Sequence, residues 1–447
     1  MNESDAVAAP ETAESPAFLQ AVAELGQKRP VVTSQAIYNA QGVKLIEGGI
    51  AVDQGLYDRL VSHRLSQPLD ECVDAEPSIN GAVLRAAAEA ALDRWPFFAQ
   101  MAPAGRMRET LLAAVGGMPL PKPIALHLML ARDTRPALFD HSILMALLVG
   151  HLVREGGATQ HEVGVAASAG LLHDMGMLHI DPDLLDSDDR LSGDQLKPVY
   201  VHPLTSSMLI GRFADYPKEV VRAIVEHHER LDGSGYPRGL VGDAISPLGR
   251  AVSLAEVVTA MFDGEREHPE QRVSLMLRIN PKRYDPALVP SIHRLLRSLP
   301  QPAEAAAAAS AGASVGRLLR LSDVLASWRD TSQALAGDLD PAHSPLLLSV
   351  TEQNAMLQRM LYEAGITREQ LGSLGGDVEE DAAVRVELWA LAEELLWQLH
   401  AAANQLKRRW QATEPATAYP PALTAWLDSV ESLDASVAAS PKGTTSA

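Results

Sequence analysis

The stretch EHHERLDGSGYPRG, Glu226 to Gly239, sets His227 and His228 side by side ahead of a loop with three glycines and one proline. Neutral imidazoles are ligands for divalent transition metals, and carboxylates are their usual companions. Eight of the fourteen histidines fall between His141 and His228, so this fifth of the chain is where chemistry is expected. Upstream, AASAGLLHDMGM ends a run of small and apolar residues on His173 and Asp174. An imidazole and a carboxylate at the end of a buried helix are costly unless something pairs them. A metal would do so, with the second Asp174 oxygen free for a neighbouring ion. A simple His–Asp hydrogen bond capping the helix would do so too. His141 lies on the apolar helix FDHSILMALLVGHLV, His202 stands beside Pro203 at an expected helix start, and Glu256 is the one carboxylate of RAVSLAEVVTAM. Each alone reads as a satisfied core group. Five such sets are too many unpaired buried groups for one domain, and a two-metal site satisfies them together.

The elements that must position these residues are helices. Aromatics are only 4% while alanine and leucine are abundant, which favours a mainly α fold. Residues 1–29 are expected to be a flexible lead. Residues 30–118 read as a small α+β module with connecting helices. It has two short strands around the Asn-Ala-Gln-Gly turn at 39–42, a helix with Leu56, Leu60 and Leu65, a returning strand at LDECV, and Trp95 and Phe97 as packing residues. Helices broken by Pro/Gly/Asp loops fill 119–300. Residues 301–345 read as an Ala/Pro-rich linker. Residues 346–418 form a helical extension. There Val384, Leu388, Leu391, Leu395, Leu399, Ala402 and Leu406 make a coiled-coil-like seam against LLLSVTEQNAMLQRML. The seam suits either a hairpin packed on itself, or a homodimer or protein partner. Residues 419–447 are expected to be a mostly disordered tail.

A net charge of −19 excludes binding of long nucleic acid through the overall field. The single cysteine, Cys72, excludes an internal disulfide, and no segment reads as a secretory signal or a membrane span. A cytoplasmic protein with no membrane partner is the expectation.

The HD at 173–174, the HP at 202–203, HHERLDGSGYPRGL at 227–240 and the later YDPALV carry a family resemblance. Over roughly 119–300 the sequence resembles the HD-GYP family of metal-dependent phosphohydrolases, which hydrolyse the bacterial second messenger cyclic di-GMP. The resemblance implies an HD-superfamily helical bundle and two divalent metal ions, Fe or Mn. It implies that His141, His173, Asp174 and Glu256 hold one ion and that His202, His227 and His228 hold the other, with Asp174 bridging. Asp174 and His173 would stand at the catalytic centre. Gly235, Tyr236 and Pro237 would form the substrate-side loop, and Arg230 and Arg238 would offer charge to a cyclic dinucleotide.

The family pattern is broken in places. Met177 stands where the family has a lysine able to reach phosphate, and His179 follows where a small residue is usual. Glu256 and Thr259 replace aspartates, Ala137 replaces the glutamate that serves a third metal in some members, and DGEREH at 263–268 replaces a basic segment. The metal shell is thus kept while the phosphate shell is thinned. The implied activity is a two-metal cyclic dinucleotide phosphodiesterase. The alternative is a catalytically impaired signalling module that senses the nucleotide or docks a partner.

Overall fold

The computed structural model describes residues 15–185, 196–262, 269–279, 282–299, 311–335, 344–363, 382–413 and 419–435. The chain divides into two compact units, one of 1–266 with 282–299 and one of 267–281 with 300–447.

The first unit opens with helix α1 (Pro16–Lys28), where the Ser15 hydroxyl accepts from the Phe18 amide and Pro16 sets the first turn. Phe18, Leu19, Val22 and Leu25 are buried along one stripe. Residues 15–29 are therefore not a flexible lead, because that stripe needs a partner surface; residues 1–14 lie outside the described ones. Strand β1 (Val31–Thr33) comes next, then β2 (Ile37–Tyr38) and β3 (Lys44–Ile46). β2 and β3 pair antiparallel around the expected turn, where the Asn39 side chain accepts from the Gln41 and Val43 amides and Gly42 takes a φ of 78°. Helix α2 (Gln54–Leu60) precedes β4 (Val73–Ala75), which returns antiparallel to β1.

Helices α3 (Gly81–Arg94), α4 (Pro96–Met101) and α5 (Arg106–Gly116) follow. Phe97 and Phe98 are fully buried, and both rings, with that of Trp95, pack on Phe262. Then come α6 (Lys122–Thr134), α7 (Pro136–Glu155), α8 (Gln160–Leu172), the short α9 (Pro182–Leu185), α10 (Leu196–Ile210), α11 (Lys218–Glu226) and α12 (Pro247–Thr259). Among the described residues α7 alone is long and apolar enough to cross a membrane; here it is a buried core helix. α7 and α8 cross closely because position 170 is glycine: a Cβ there would lie 2.7 Å from the Met145 carbonyl oxygen. That approach brings the helix bearing His141 against the helix ending at His173.

In the second unit, α13 (Pro269–Ile279) belongs with the later helices, while α14 (Val289–Ser298) belongs to the first unit. Ala311–Leu335, expected within a linker, is a 25-residue helix, α15. Leu318, Leu321, Leu325 and Trp328 make its buried stripe. α16 (Ser344–Glu363), α17 (Ala382–Thr413) and α18 (Pro421–Ala435) complete the bundle. α18 lies in the expected disordered tail; Leu423, Trp426, Leu427, Val430 and Leu433 are all buried there, so the segment is held by its apolar face. The seam residues Leu388, Leu391, Leu395, Leu399 and Leu406 are buried in this same core. The seam is thus packed within the chain and against α16, as the hairpin reading expects, with α15 and α18 completing a bundle. The Val384 side chain lies outside the described ones.

Candidate metal centre

Three features of helix architecture aim the imidazoles. α8 and α11 end on His173 and His227, which are their C-cap residues. The last carbonyls of a helix have no partner further along it. His173 Nδ1 lies 2.7 Å from the Gly170 carbonyl and His227 Nδ1 lies 2.6 Å from that of Ile224, so each ring donates its Nδ1 proton there. His202 and Pro203 sit inside α10 rather than at its start. Proline has no N–H, so the Val199 carbonyl, four residues earlier, lacks its helical donor. His202 Nδ1 fills that role. The carbonyl bonds occupy Nδ1 in all three rings and turn Nε2 inward, where it is able to take a metal ion or a proton.

The acceptors converge. His202 Nε2 lies 3.0 Å and His227 Nε2 3.5 Å from Asp174 Oδ1, and the two ring nitrogens are 3.1 Å apart. His228 completes this group of four, and its ring packs 4.1 Å from that of His227. In the second group, Glu256 Oε2 is 3.2 Å from both His141 Nε2 and His173 Nε2. Asp174 Oδ2 is 3.4 Å from His173 Nε2, so Asp174 touches both groups. Within each group one ligand atom per residue lies within 4.8 Å of all the others. The longer side chain of Glu256, compared with aspartate, reaches both histidines from α12. All seven sequence-selected ligands are thus brought together.

The electrostatics show what such a cluster lacks. Burial by itself would raise the Asp174 carboxyl, but the His173 and His202 imidazoles hold it well below the usual range. Burial opposes the charge of Glu256 too, and His141 and His173 outweigh it in the same direction. Burial would lower His173, yet Asp174 and Glu256 raise it to about 9. For His227 and His228 burial wins and both are lowered. His173 Nε2 and Asp174 Oδ1 are buried with no hydrogen-bond partner. Lone pairs of nitrogen and oxygen facing one another at 3.0–3.5 Å need positive charge between them. Imidazole and carboxylate donors in this arrangement fit divalent transition metals.

The loop after His228 is built onto this cluster. Glu229 is fully buried, and its two carboxylate oxygens each accept a backbone N–H at 2.8 Å, from Arg238 and Leu240. Gly235 lies so close beneath that a Cβ would be 2.4 Å from the His228 carbonyl oxygen and 2.5 Å from the Arg230 nitrogen. Tyr236 stacks on His228 with centroids 4.6 Å apart, and burial, then the Asp174 and Glu256 charges, push its hydroxyl pKa upward. Pro237 is half-buried and Arg238 is exposed beside them. Arg230 differs from the expectation. Its Nη1 bonds the carbonyls of His227 and Glu229 and the Ser253 hydroxyl, and its guanidinium lies over the Tyr284 ring. It ties the backbone at His227 and Glu229 to α12 rather than offering charge outward.

Met177 is half-buried, and its carbonyl accepts from Arg135 Nη1. His179 stacks flat on Phe18 at 4.7 Å and has no place among the ligands. The segment 263–268 lies outside the described residues. Sequence reasoning missed Glu229, and also Glu226, which is buried and accepts from the amide and hydroxyl of Ser246 at the N-cap of α12. Both acids flank the paired histidines at the end of an amphipathic helix, but their types alone do not give these bonding roles.

Residues 126–288 match the family model described as HD domain. Among curated proteins, the cyclic di-GMP phosphodiesterase response regulator RpfG of Xanthomonas campestris pv. campestris is 34% identical over 119 residues, which is 26% of this chain and 32% of that protein. The 3'3'-cGAMP-specific phosphodiesterase 1 of Vibrio cholerae is 35% identical over 127 residues, 28% of each chain. Cyclic di-GMP phosphodiesterase PA4108 of Pseudomonas aeruginosa is 31% identical over 123 residues, 28% of this chain and 30% of that one. The matched segment spans about a third or less of each of these relatives. The seven converging ligands, the glycine-tight loop behind them and the match over 126–288 agree, and this part of the chain is an HD domain.

Proposed function

We propose that this chain is a metal-dependent phosphodiesterase that hydrolyses cyclic di-GMP or a related cyclic dinucleotide in cytoplasmic second-messenger signalling. The observation that supports it best is the convergence of Asp174, His202, His227 and His228 beside His141, His173 and Glu256. Two divalent ions, Fe or Mn, held by these two groups would supply Lewis acidity toward phosphate oxygens and lower the pKa of bound water. The chain's own residues do the rest. Carbonyl-anchored imidazoles hold their Nε2 atoms in place before any ion arrives, so little reorganisation is needed. Asp174 touches both groups and sets their spacing. The 233–240 loop, braced by Glu229, forms the wall against which a substrate phosphate is held.

A second reading has one observation in its favour. Met177 offers a thioether where a cation would meet phosphate, and a module without that contact could bind the nucleotide without turning it over. One experiment separates the two. The full chain is purified without oxygen, its metal content is measured, and cyclic di-GMP turnover is followed by chromatography. Stoichiometric metal with turnover is expected. Metal without turnover leaves the sensing module, and absence of metal after iron, manganese or zinc supplementation sinks the ligand assignment. The double variant His173→Ala with Asp174→Ala is expected to lose metal uptake altogether.

A further inference from the structure

Three aromatic rings lead outward from the metal centre, and only the inner two belong to the motif. Tyr236 stacks on His228, centroids 4.6 Å apart and planes 27° apart. Tyr200, on α10 two residues before His202, packs against Tyr236 at 4.6 Å with planes at 90°. Tyr200 is 47% exposed. A single exposed aromatic needs no explanation. This one is held edge-on by a ring that itself rests on a member of the ligand cluster, so its direction is set before anything binds. Tyr236 has one face taken up by His228, which leaves Tyr200 the outermost ring of the ladder.

Resting on the phosphodiesterase reading, we infer that Tyr200 is a nucleobase-stacking residue that positions one base of the cyclic dinucleotide while its phosphodiester lies at the ligand cluster. Every base has a π-face, so stacking needs no charge from the protein. That suits this chain, whose net charge of −19 repels a nucleotide and whose residue 177 supplies no cation. Ring contact thus contributes affinity where phosphate contacts are few. Tyrosine suits the role because two χ angles leave little rotamer freedom to lose.

The test uses the full, metal-loaded chain. Stacking on one base is worth roughly a five- to hundredfold change in binding. Tyr200→Ala should therefore raise KM for cyclic di-GMP about tenfold with kcat within about twofold. Tyr200→Phe should recover the wild-type KM, since the ring and not the hydroxyl does the work. Inhibition by inorganic phosphate, which has no base, should be the same in all three proteins, as should metal content. An unchanged KM in Tyr200→Ala, or a loss of metal or of phosphate inhibition in step with KM, overturns the stacking role while leaving the phosphodiesterase reading intact. A metal-loaded wild type that neither binds nor cleaves any cyclic dinucleotide overturns both.

Discussion

The sharpest test of how the site is held together is Glu229→Gln. Glu229 is fully buried, and its oxygens accept from the Arg238 and Leu240 amides at 2.8 Å each. Glutamine has the same shape but replaces one acceptor with an NH2 group. One backbone N–H then faces another donor inside the protein. The variant loses a hydrogen bond to a charged group and leaves a buried donor unsatisfied, together about 2–4 kcal/mol. The cost falls on the loop, where 233–240 is otherwise held by the Gly233 amide to the Arg230 carbonyl, the Tyr236 amide to that of His228, the Ser234 amide and hydroxyl to Asp232, and the stacking of Tyr236 on His228. Local opening, not global unfolding, is the expected response. Hydrogen exchange followed by mass spectrometry on peptides covering 232–241 should speed up roughly 30- to 1,000-fold, the same energy expressed as an opening constant. Peptides from α7 and α8 should keep wild-type rates. If the loop exchanges within threefold of wild type, the carboxylate is not the brace. If every peptide of the first unit speeds up together, the loop has no independent stability and the reasoning fails differently.

Three other perturbations probe separate parts of the molecule. Met177→Lys places a cation on the turn after Asp174 and should raise kcat/KM for cyclic di-GMP about tenfold or more, the worth of one hydrogen bond to a charged group; an unchanged rate would show that position 177 does not face the phosphate path. His151 is buried on α7, and burial lowers its pKa to about 4. Its folded form refuses a proton that the unfolded chain accepts near pH 6.5, so stability falls by up to about 1.4 kcal/mol per pH unit as pH drops from about 6.5 toward 4. His151→Leu should flatten that acid limb in thermal melts, and an identical pH profile would refute the assignment. Trp426 is buried in the second unit, with its ring against Trp328 and its Nε1 bonded to the Val324 carbonyl. Trp426→Ala should cost about 3–5 kcal/mol and lower the denaturant midpoint read by tryptophan fluorescence; a shift below 1 kcal/mol would mean that α18 does not hold the bundle.

Much of the site was legible because ligand residues are rare types in apolar surroundings. His141, His173, Asp174, His202, His227, His228 and Glu256 each interrupt an apolar helix, and no packing role explains all seven. The braces were not legible. Glu229 and Arg230 are adjacent charged residues at a helix end, and nothing in their types says that one takes two loop amides while the other turns inward to Ser253. Such roles depend on where a loop returns, which periodicity does not encode. The ends of the chain were misread for a compositional reason. Acidic, alanine-rich stretches precede α1 and α15 and hide apolar stripes such as Phe18, Val22 and Leu25, or Leu318, Leu321 and Leu325. The same masking made α18 look like a tail, though Leu423, Trp426, Val430 and Leu433 follow helical spacing.

Where the histidines sit also bears on whether the thinned phosphate shell is decisive. The acceptors that orient His173, His202 and His227 are backbone carbonyls freed by two helix ends and one proline. None of these carbonyls is bonded by Met177, which lies on the 3-10 turn Met175–His179 and whose amide donates to the Asp174 carbonyl. Metal binding and phosphate binding are therefore built from different parts, and one is able to weaken without disturbing the other. Without a cation, however, the ligand set is a liability. His173 Nε2 and Asp174 Oδ1 are buried with no well-aligned hydrogen bond and face other members of the ligand set, and each group so placed costs on the order of 1–3 kcal/mol. A chain that only needed the fold would be more stable with apolar residues in their place. The cost is offset only when positive charge fills the centre, so the stability of this domain should rise with divalent metal. On the proposed phosphodiesterase reading, the departure at Met177 then argues for a slower reaction at a metal centre that is still required, and not for a centre that has fallen out of use.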